Sequence, residues 1–318
     1  MTQLDSLSSS PVLSTVRCSD PAAVAGMLPG IRRRLLPLSG AFNFFQAELQ
    51  LGALRLVTVK RPPCASEGYL DPRQVGIALS MGDSAGLKLD GLSLQRPMLV
   101  THGLSIPHRI FQPSELSIAA ILLPAAKADR GWPGRTQAAR VDPVQPKVFA
   151  QLRSIVLDVI RLASRDPQRF LQANVVAGME QSLLGTIDHA YLTAPGERAS
   201  ALAVGNYVRI CHRAEEFINS GASGLPSSAD VAAAACVTIR TLHNAMVAVH
   251  GMSLQRFMIL NRLWAARAAL SCGGASDLVK TVAFDQGFWH LGRFARTYRA
   301  FFGESPSDTL AQARANSH

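Results

Sequence analysis

Hydrophobic positions along this chain keep a period of two in its first half and a period near 3.6 in the rest. From about Ala41 to Leu123, Leu54, Leu56 and Thr58 alternate with Arg55, Val57 and Val59, and Val75, Ile77, Leu79 and Met81 alternate with small or polar residues. Leu87 and Leu89, then Leu92 and Leu94, continue the pattern. Period two puts successive side chains on opposite faces of a strand. Gly82-Asp83, Asp90-Gly91 and several prolines supply the turns between such strands. Short strands punctuated in this way predict a β-sandwich or jelly roll. The stretch from Ala125 to Pro146, rich in Ala, Arg, Gly and Pro, reads as a loop. Val148, Leu152, Ile155, Val156 and Val159 then trace a helix that stops before Pro167, and Val175, Met179, Leu183, Ile187 and Tyr191 mark another over 170–192. Together they predict a helical hairpin. Residues 1–20, polar and serine-rich, read as a flexible lead, and Pro21 to Leu36 as a short helix ending in Arg32-Arg33-Arg34, a solvated flank.

The final third is helical throughout. Val208, Cys211, Glu215 and Ile218 fall on one helix face over 207–220. Ser227 to Asp230 fits the S-x-x-D start of a short helix, followed by a turn at Cys236-Val237 and by Thr238 as cap of a further helix with Leu242, Met246 and Val249 as its apolar stripe. Gly251 closes it. Leu254 to Leu270 contains neither Gly nor Pro and reads as one long helix. A second short helix carries Val279, Val282 and Ala283 and ends at Gly287, where a residue without a Cβ lets the chain turn sharply. Phe294, Tyr298 and Phe301 or Phe302 then line the buried side of another helix, whose opposite side carries Arg293, Arg296 and Arg299. Two short helices across a tight turn, the second apolar behind and cationic in front, describe a helix-turn-helix. The unit occurs twice, about fifty residues apart, with Ala232 and Cys236 corresponding to Ala283 and Gly287.

Ala283, Gly287, Phe288, His290-Leu291-Gly292-Arg293-Phe294, Tyr298, Phe302-Gly303 and Ser305-Pro306 together resemble the C-terminal signature of AraC/XylS transcription regulators, with the XylS-type branch similar through GFWHLGRFARTYRAFFGESPSDTL. Arg262-Leu263 and Ala266-Arg267 match that family's connecting helix. The resemblance implies an α+β chain: a cupin-like effector-binding and dimerisation domain over 21–192, a linker over 193–203, and a double helix-turn-helix domain over 204–318. It further implies promoter DNA, a small-molecule effector and RNA polymerase as partners, and a homodimer seam through 148–192; the hairpin's alternative role is to pack on its own sheet. Family members usually have Gly where this chain has Cys236, so the first turn is either strained or differently shaped.

Exposed positions near the N-terminus of each recognition helix reach the groove. In the first unit these are Ile239, Arg240, His243 and Asn244, with the cap Thr238 beside them. In the second, the matched motif gives His290, Gly292, Arg293 and Arg296. Arginine suits bidentate contact with guanine. Trp289 reads as a packing residue.

Charge adds little to this. The net charge of +10 favours an anionic partner, yet it divides as +4 from Val204 onward, with 11 Lys and Arg against 7 Asp and Glu, and +6 before it, with 21 against 15. Five cysteines form neither a C-x-x-C pair nor an even disulfide set, as expected of small core thiols in a reducing cytoplasm. The first twenty residues lack a secretion-type apolar run, and no segment approaches a membrane span, so a cytoplasmic protein is expected. His102, His108 and Glu115 are the candidates for a metal set, but their spacing does not form an H-x-H pair, so neither metal nor other cofactor is expected and an apolar effector pocket is the better reading. The residues therefore predict a DNA-binding regulator, an activator by family likeness, and no enzyme. The alternatives are a regulator that answers to no ligand or to a partner protein, and a cupin-type metalloenzyme with a DNA-binding tail.

Overall fold

In the computed structural model, which describes residues 7–27, 31–95, 97–102, 107–132, 139–194, 202–220, 226–272 and 278–316, the period-two region folds as strands, joined by others before and after it. They are β1 (Leu13–Cys18), β2 (Ile31–Pro37), β3 (Phe44–Leu51), β4 (Leu54–Arg61), β5 (Cys64–Leu70), β6 (Gln74–Ser80), β7 (Lys88–Leu89), β8 (Leu92–Ser93), β9 (Met98–Thr101), β10 (His108–Gln112), β11 (Leu116–Pro124) and β12 (Arg140–Pro143). Two sheets result, one of seven strands in the order β1-β3-β4-β11-β6-β9-β12 and one of five in the order β2-β5-β10-β7-β8. In the larger sheet β11 is central, with Ala120 opposite both Val57 and Ala78.

The larger sheet is buried on both faces, which explains why its alternation runs between apolar and apolar rather than apolar and polar. Leu54, Leu56, Ile77, Ala119 and Ile121 face one way, into a core shared with helices α1 (Pro146–Arg165) and α2 (Ala173–Leu192). Leu152, Val156, Leu183 and Ile187 are the helices' deepest contributions, at most 0% exposed. The hairpin thus packs on its own sheet. Val57, Val59, Ala78, Ile118 and Ala120 face the other way, toward the five-stranded sheet.

Three local expectations are corrected. Residues 13–18, read as part of a flexible lead, form β1, because Leu13 finds a fully buried place opposite Leu49; residues 1–6 lie outside the described set. The segment read as a short helix ending in three arginines has one 3-10 turn, Ala23–Gly26, and then the strand β2. The stretch read as a loop contains another such turn, Ala125–Lys127, and the edge strand β12, while 133–138 lie outside the described residues.

The C-terminal helices are α3 (Leu202–Ser220), α4 (Ser228–Ala234), α5 (Ile239–His250), α6 (Leu254–Ser271), α7 (Val279–Asp285), α8 (Leu291–Phe302) and α9 (Pro306–Asn316). Contacts divide the chain into two units, 1–35 with 42–201 and 36–41 with 202–318. Of the expected linker, 195–201 lie outside the described residues. No single helix among the described residues is long and apolar enough to cross a membrane. All five cysteines are free; Cys64 and Cys211 are buried, whereas Cys236 and Cys272 are exposed and not the core thiols expected.

Candidate nucleic-acid interface and ligand cavity

Each short helix of the C-terminal unit ends in the same hydrogen-bonded turn. The Val237 N–H donates to the Ala232 carbonyl at 3.0 Å and the Cys236 N–H to the Ala233 carbonyl at 2.9 Å; Phe288 to Ala283 at 2.8 Å and Gly287 to Phe284 at 2.9 Å repeat this pair. These are the two bonds of a Schellman motif, which demands a left-handed residue just past the helix. Gly287 meets the demand at φ 77°, and Cys236 does so at φ 57°. The first turn therefore keeps the same backbone as the second and carries the strain, since left-handed backbone costs an L-residue roughly 1–2 kcal/mol.

Caps fix where the helices begin. Ser227 Oγ accepts from the Asp230 N–H at 3.2 Å while the Asp230 carboxylate accepts from the Ser227 N–H at 2.8 Å. These bonds also hold the Asp230 carboxyl below the usual carboxylate range. Ser305 and Asp308 repeat the arrangement at α9. Thr238 Oγ1 accepts from the Thr241 N–H at 3.1 Å, so its hydroxyl is engaged as the cap of α5.

Between the units runs α6, eighteen residues or about 27 Å at 1.5 Å per residue. Its first half meets α5, where Phe257 lies 5.0 Å from the His250 ring, itself seated on buried Glu215 of α3. Its second half gives Leu263, Ala266 and Leu270 to a core with Val282, Ala283, Phe294, Tyr298 and Leu310. Both recognition helices are thereby fastened to one rod.

All the sequence-predicted readers are solvent-facing. Thr238, Ile239, Arg240, His243 and Asn244 on α5 are exposed around the buried Leu242 and Met246, and His290, Gly292, Arg293 and Arg296 are exposed around Phe294 and Tyr298. Gly292 has open space where a Cβ would stand. Trp289 departs from expectation: it is 67% exposed, with one face stacked on Phe284 at 5.7 Å. Nothing in its spacing separates it from a packing aromatic; only the following helix's orientation turns it outward.

In the N-terminal unit the two sheets enclose a narrow apolar cavity of about 60 Å³, room for a few water centres at ~10–15 Å³ each. Val57, Val59, Leu89, Met98, Val100 and Ile118 make most of its wall. Its polar lining residues are Ser80, Ser84, His102, His108 and Arg33, the last from the triplet expected to be a solvated flank. The histidine rings meet edge to face at 4.6 Å, and the Gly76 carbonyl lies 3.1 Å from His102 Nδ1. Burial lowers His102 to about 4 and His108 well below its ordinary value, so both are neutral at pH 7. Burial, reinforced by Arg61, lowers Arg33 to about 9, leaving it cationic. Arg61 is itself fully buried, and its Nε and Nη2 have no hydrogen-bond partner among the described residues. Glu115 is not part of this group; it pairs with Lys60 at 3.1 Å. A neutral histidine pair without a carboxylate is a poor divalent-metal set.

Residues 231–312 match a family described as a helix-turn-helix domain. The XylDLEGF operon transcriptional activator 2 of Pseudomonas putida is 35% identical over 100 residues, 31% of this chain and 64% of that protein. A probable AraC family transcriptional regulator of Rhodopseudomonas palustris, known as a crystal structure, is 31% identical over 33% of this chain and 96% of its own, with a TM-score of 0.30. The chain belongs to the AraC/XylS family. Among further AraC/XylS relatives, the XylDLEGF operon transcriptional activator of Pseudomonas putida is 27% identical over 204 residues, 63% of this chain. The chain spans about 60% of the length of that relative.

Proposed function

We propose that this AraC/XylS chain is a cytoplasmic, sequence-specific DNA-binding transcription regulator, an activator, controlled by a small molecule held in the N-terminal cavity of a cupin-like sensor. The observation that carries the reading is the pair of twelve-residue helices, α5 and α8, each set by the same turn and each presenting a polar, exposed front from an apolar back. Helices of that form enter successive major grooves. Thr238, Ile239, Arg240, His243 and Asn244 would read the first half-site, and His290, Gly292, Arg293 and Arg296 the second. For the effector, an apolar wall with one cationic group behind it favours a small organic acid, its carboxylate toward Arg33. Such a ligand regulates only by binding the active and inactive arrangements unequally. In this reading a promoter-bound copy contacts RNA polymerase and two copies pair through 148–192, in line with family membership.

The test is to select duplexes from a randomised pool with the full chain, then measure Arg293→Ala on selected and scrambled duplexes. A base contact costs roughly 1–3 kcal/mol on the selected duplex alone. Equal loss on both would make Arg293 a phosphate contact, and a pool that never enriches would remove the function.

A further inference from the structure

Of the exposed apolar residues at the tips of the two recognition helices, Ile239 is among the proposed readers, whereas Trp289 and Leu291 are not. Trp289, in the turn of the second unit, and Leu291, the first residue of α8, are 67% and 37% exposed. The indole is held in place rather than free. Its inner face stacks on Phe284 with an interplanar angle of 28°, and Lys280 Nζ lies 5.7 Å from the centre of the Phe284 ring. At the first unit the counterpart of Leu291 is Ile239, the first residue of the equally long α5, 54% exposed. Both helices therefore offer bare hydrocarbon at the same position.

That position is where a recognition helix meets base edges. Arg293 and Arg296 follow within the next five residues and are exposed, while Gly292, between Leu291 and Arg293, adds no side chain. Cations so placed draw in a phosphate backbone. A large hydrocarbon surface pressed into a groove beside them gains only where it meets hydrocarbon, and the major groove offers one such group, the C5-methyl of thymine. Lys280 beside Phe284 favours a polyanion over an apolar protein partner for the same patch.

We infer that Trp289 and Leu291 form a thymine-methyl reader for the second half-site, with Ile239 in the same role for the first. The inference rests on the DNA-binding reading above and adds a base preference to it. Trp289 acts from a preset stacked platform, so little side-chain freedom is lost on contact.

The experiment uses the full-length chain and duplexes selected from a randomised pool. Each enriched thymine is replaced in turn by uracil, which deletes the methyl and keeps every donor and acceptor. The expected result is a loss of about threefold to fivefold in affinity at one or two thymines in each half-site, the worth of one buried methyl. Trp289→Ala and Leu291→Ala should abolish the thymine-over-uracil preference in the second half-site only, and Ile239→Ala in the first only. Retention of the first half-site's thymine preference in Trp289→Ala and Leu291→Ala separates a lost methyl contact from a folding defect. Enrichment with indifference to uracil at every position overturns the inference while leaving DNA reading intact. A preference that survives both Trp289→Ala and Leu291→Ala overturns it as well. A pool without enrichment fails at the earlier step and takes the DNA-binding reading with it.

Discussion

Replacing Cys236 by glycine should make the C-terminal unit more stable. The residue sits at φ 57° in a turn closed by two backbone bonds, and its sister position, closed by the same pair of bonds, is a glycine at φ 77°. Removing the Cβ relieves roughly 1–2 kcal/mol of left-handed strain. Against that, glycine adds freedom to the unfolded chain worth roughly 0.4–1 kcal/mol. Little else is lost, because the thiol is exposed and reaches only the Ala234 carbonyl at 4.0 Å. The net is a stabilisation of about 0.5–1 kcal/mol, or roughly 2–6 °C in the unfolding midpoint of this unit. Thermal and urea unfolding of the full chain, followed by indole fluorescence, reports on it, since Trp264 and Trp289 both lie there. The reciprocal variant, Gly287→Ala, should lower stability by about 0.5–1 kcal/mol through the same two terms with their signs reversed. A Cys236→Gly protein no more stable than the parent, or a Gly287→Ala protein that melts with it, would show that the turn stores no strain.

Three other outcomes follow from the same geometry. Gly292→Ala has open space for its Cβ and should stabilise α8 by up to about 1 kcal/mol in unfolding, yet lower DNA affinity in a binding titration, because the new methyl stands where the helix backbone approaches the groove. Acidification should weaken the N-terminal unit: the unfolded chain takes up a proton near the ordinary histidine value of about 6.5, while buried His102 holds off until about 4, so stability is present above that window and is lost as pH falls through it, at up to about 1.4 kcal/mol per unit. His102→Gln should reduce that slope in urea unfolding measured across pH 4–7, leaving the share of buried His108, and an unchanged slope would assign it elsewhere. Aromatic and short aliphatic carboxylates should raise the unit's melting temperature, by about 2.7 kcal/mol of linkage at a hundred times their dissociation constant, whereas the matching amides should not. Arg33→Gln should remove that difference, and a shift equal for acid and amide would refute a carboxylate site.

The C-terminal unit was legible because its signals are local. Ser227 and Asp230 bond each other three residues apart, Gly287 answers a turn demand within its own helix, and the faces of α5 and α8 follow from spacing alone. Cys236 shows the same rule at its limit: the pattern announced a problem in the turn, and only the backbone angle decided between strain and a different shape. Non-local pairing is what the pattern could not carry. Leu13 is a strand residue only because Leu49 lies opposite, and Arg33 lines a cavity only because β2 is placed beside β5 in the smaller sheet. The same residues on an isolated segment are a polar lead and a basic flank. Trp289 belongs with them, since an aromatic next to a glycine turn reads as packing until the orientation of the helix that follows is known.

The seven-stranded sheet is one residue thick between two crowded compartments, so it cannot insulate them. Val57 touches the cavity and Leu56 the helical hairpin, with a single peptide bond joining the two; Ala120 and Ile121 repeat the arrangement on the next strand. A guest wide enough to push Val57 and Ala120 outward tilts their neighbours against α1 and α2, where close packing leaves no slack to absorb the movement. In the proposed regulator, a ligand's displacement of that wall would cross the sheet within a few ångströms, and substitutions that trim Leu56 or Ile121 should weaken its effect on the hairpin before they change binding in the cavity.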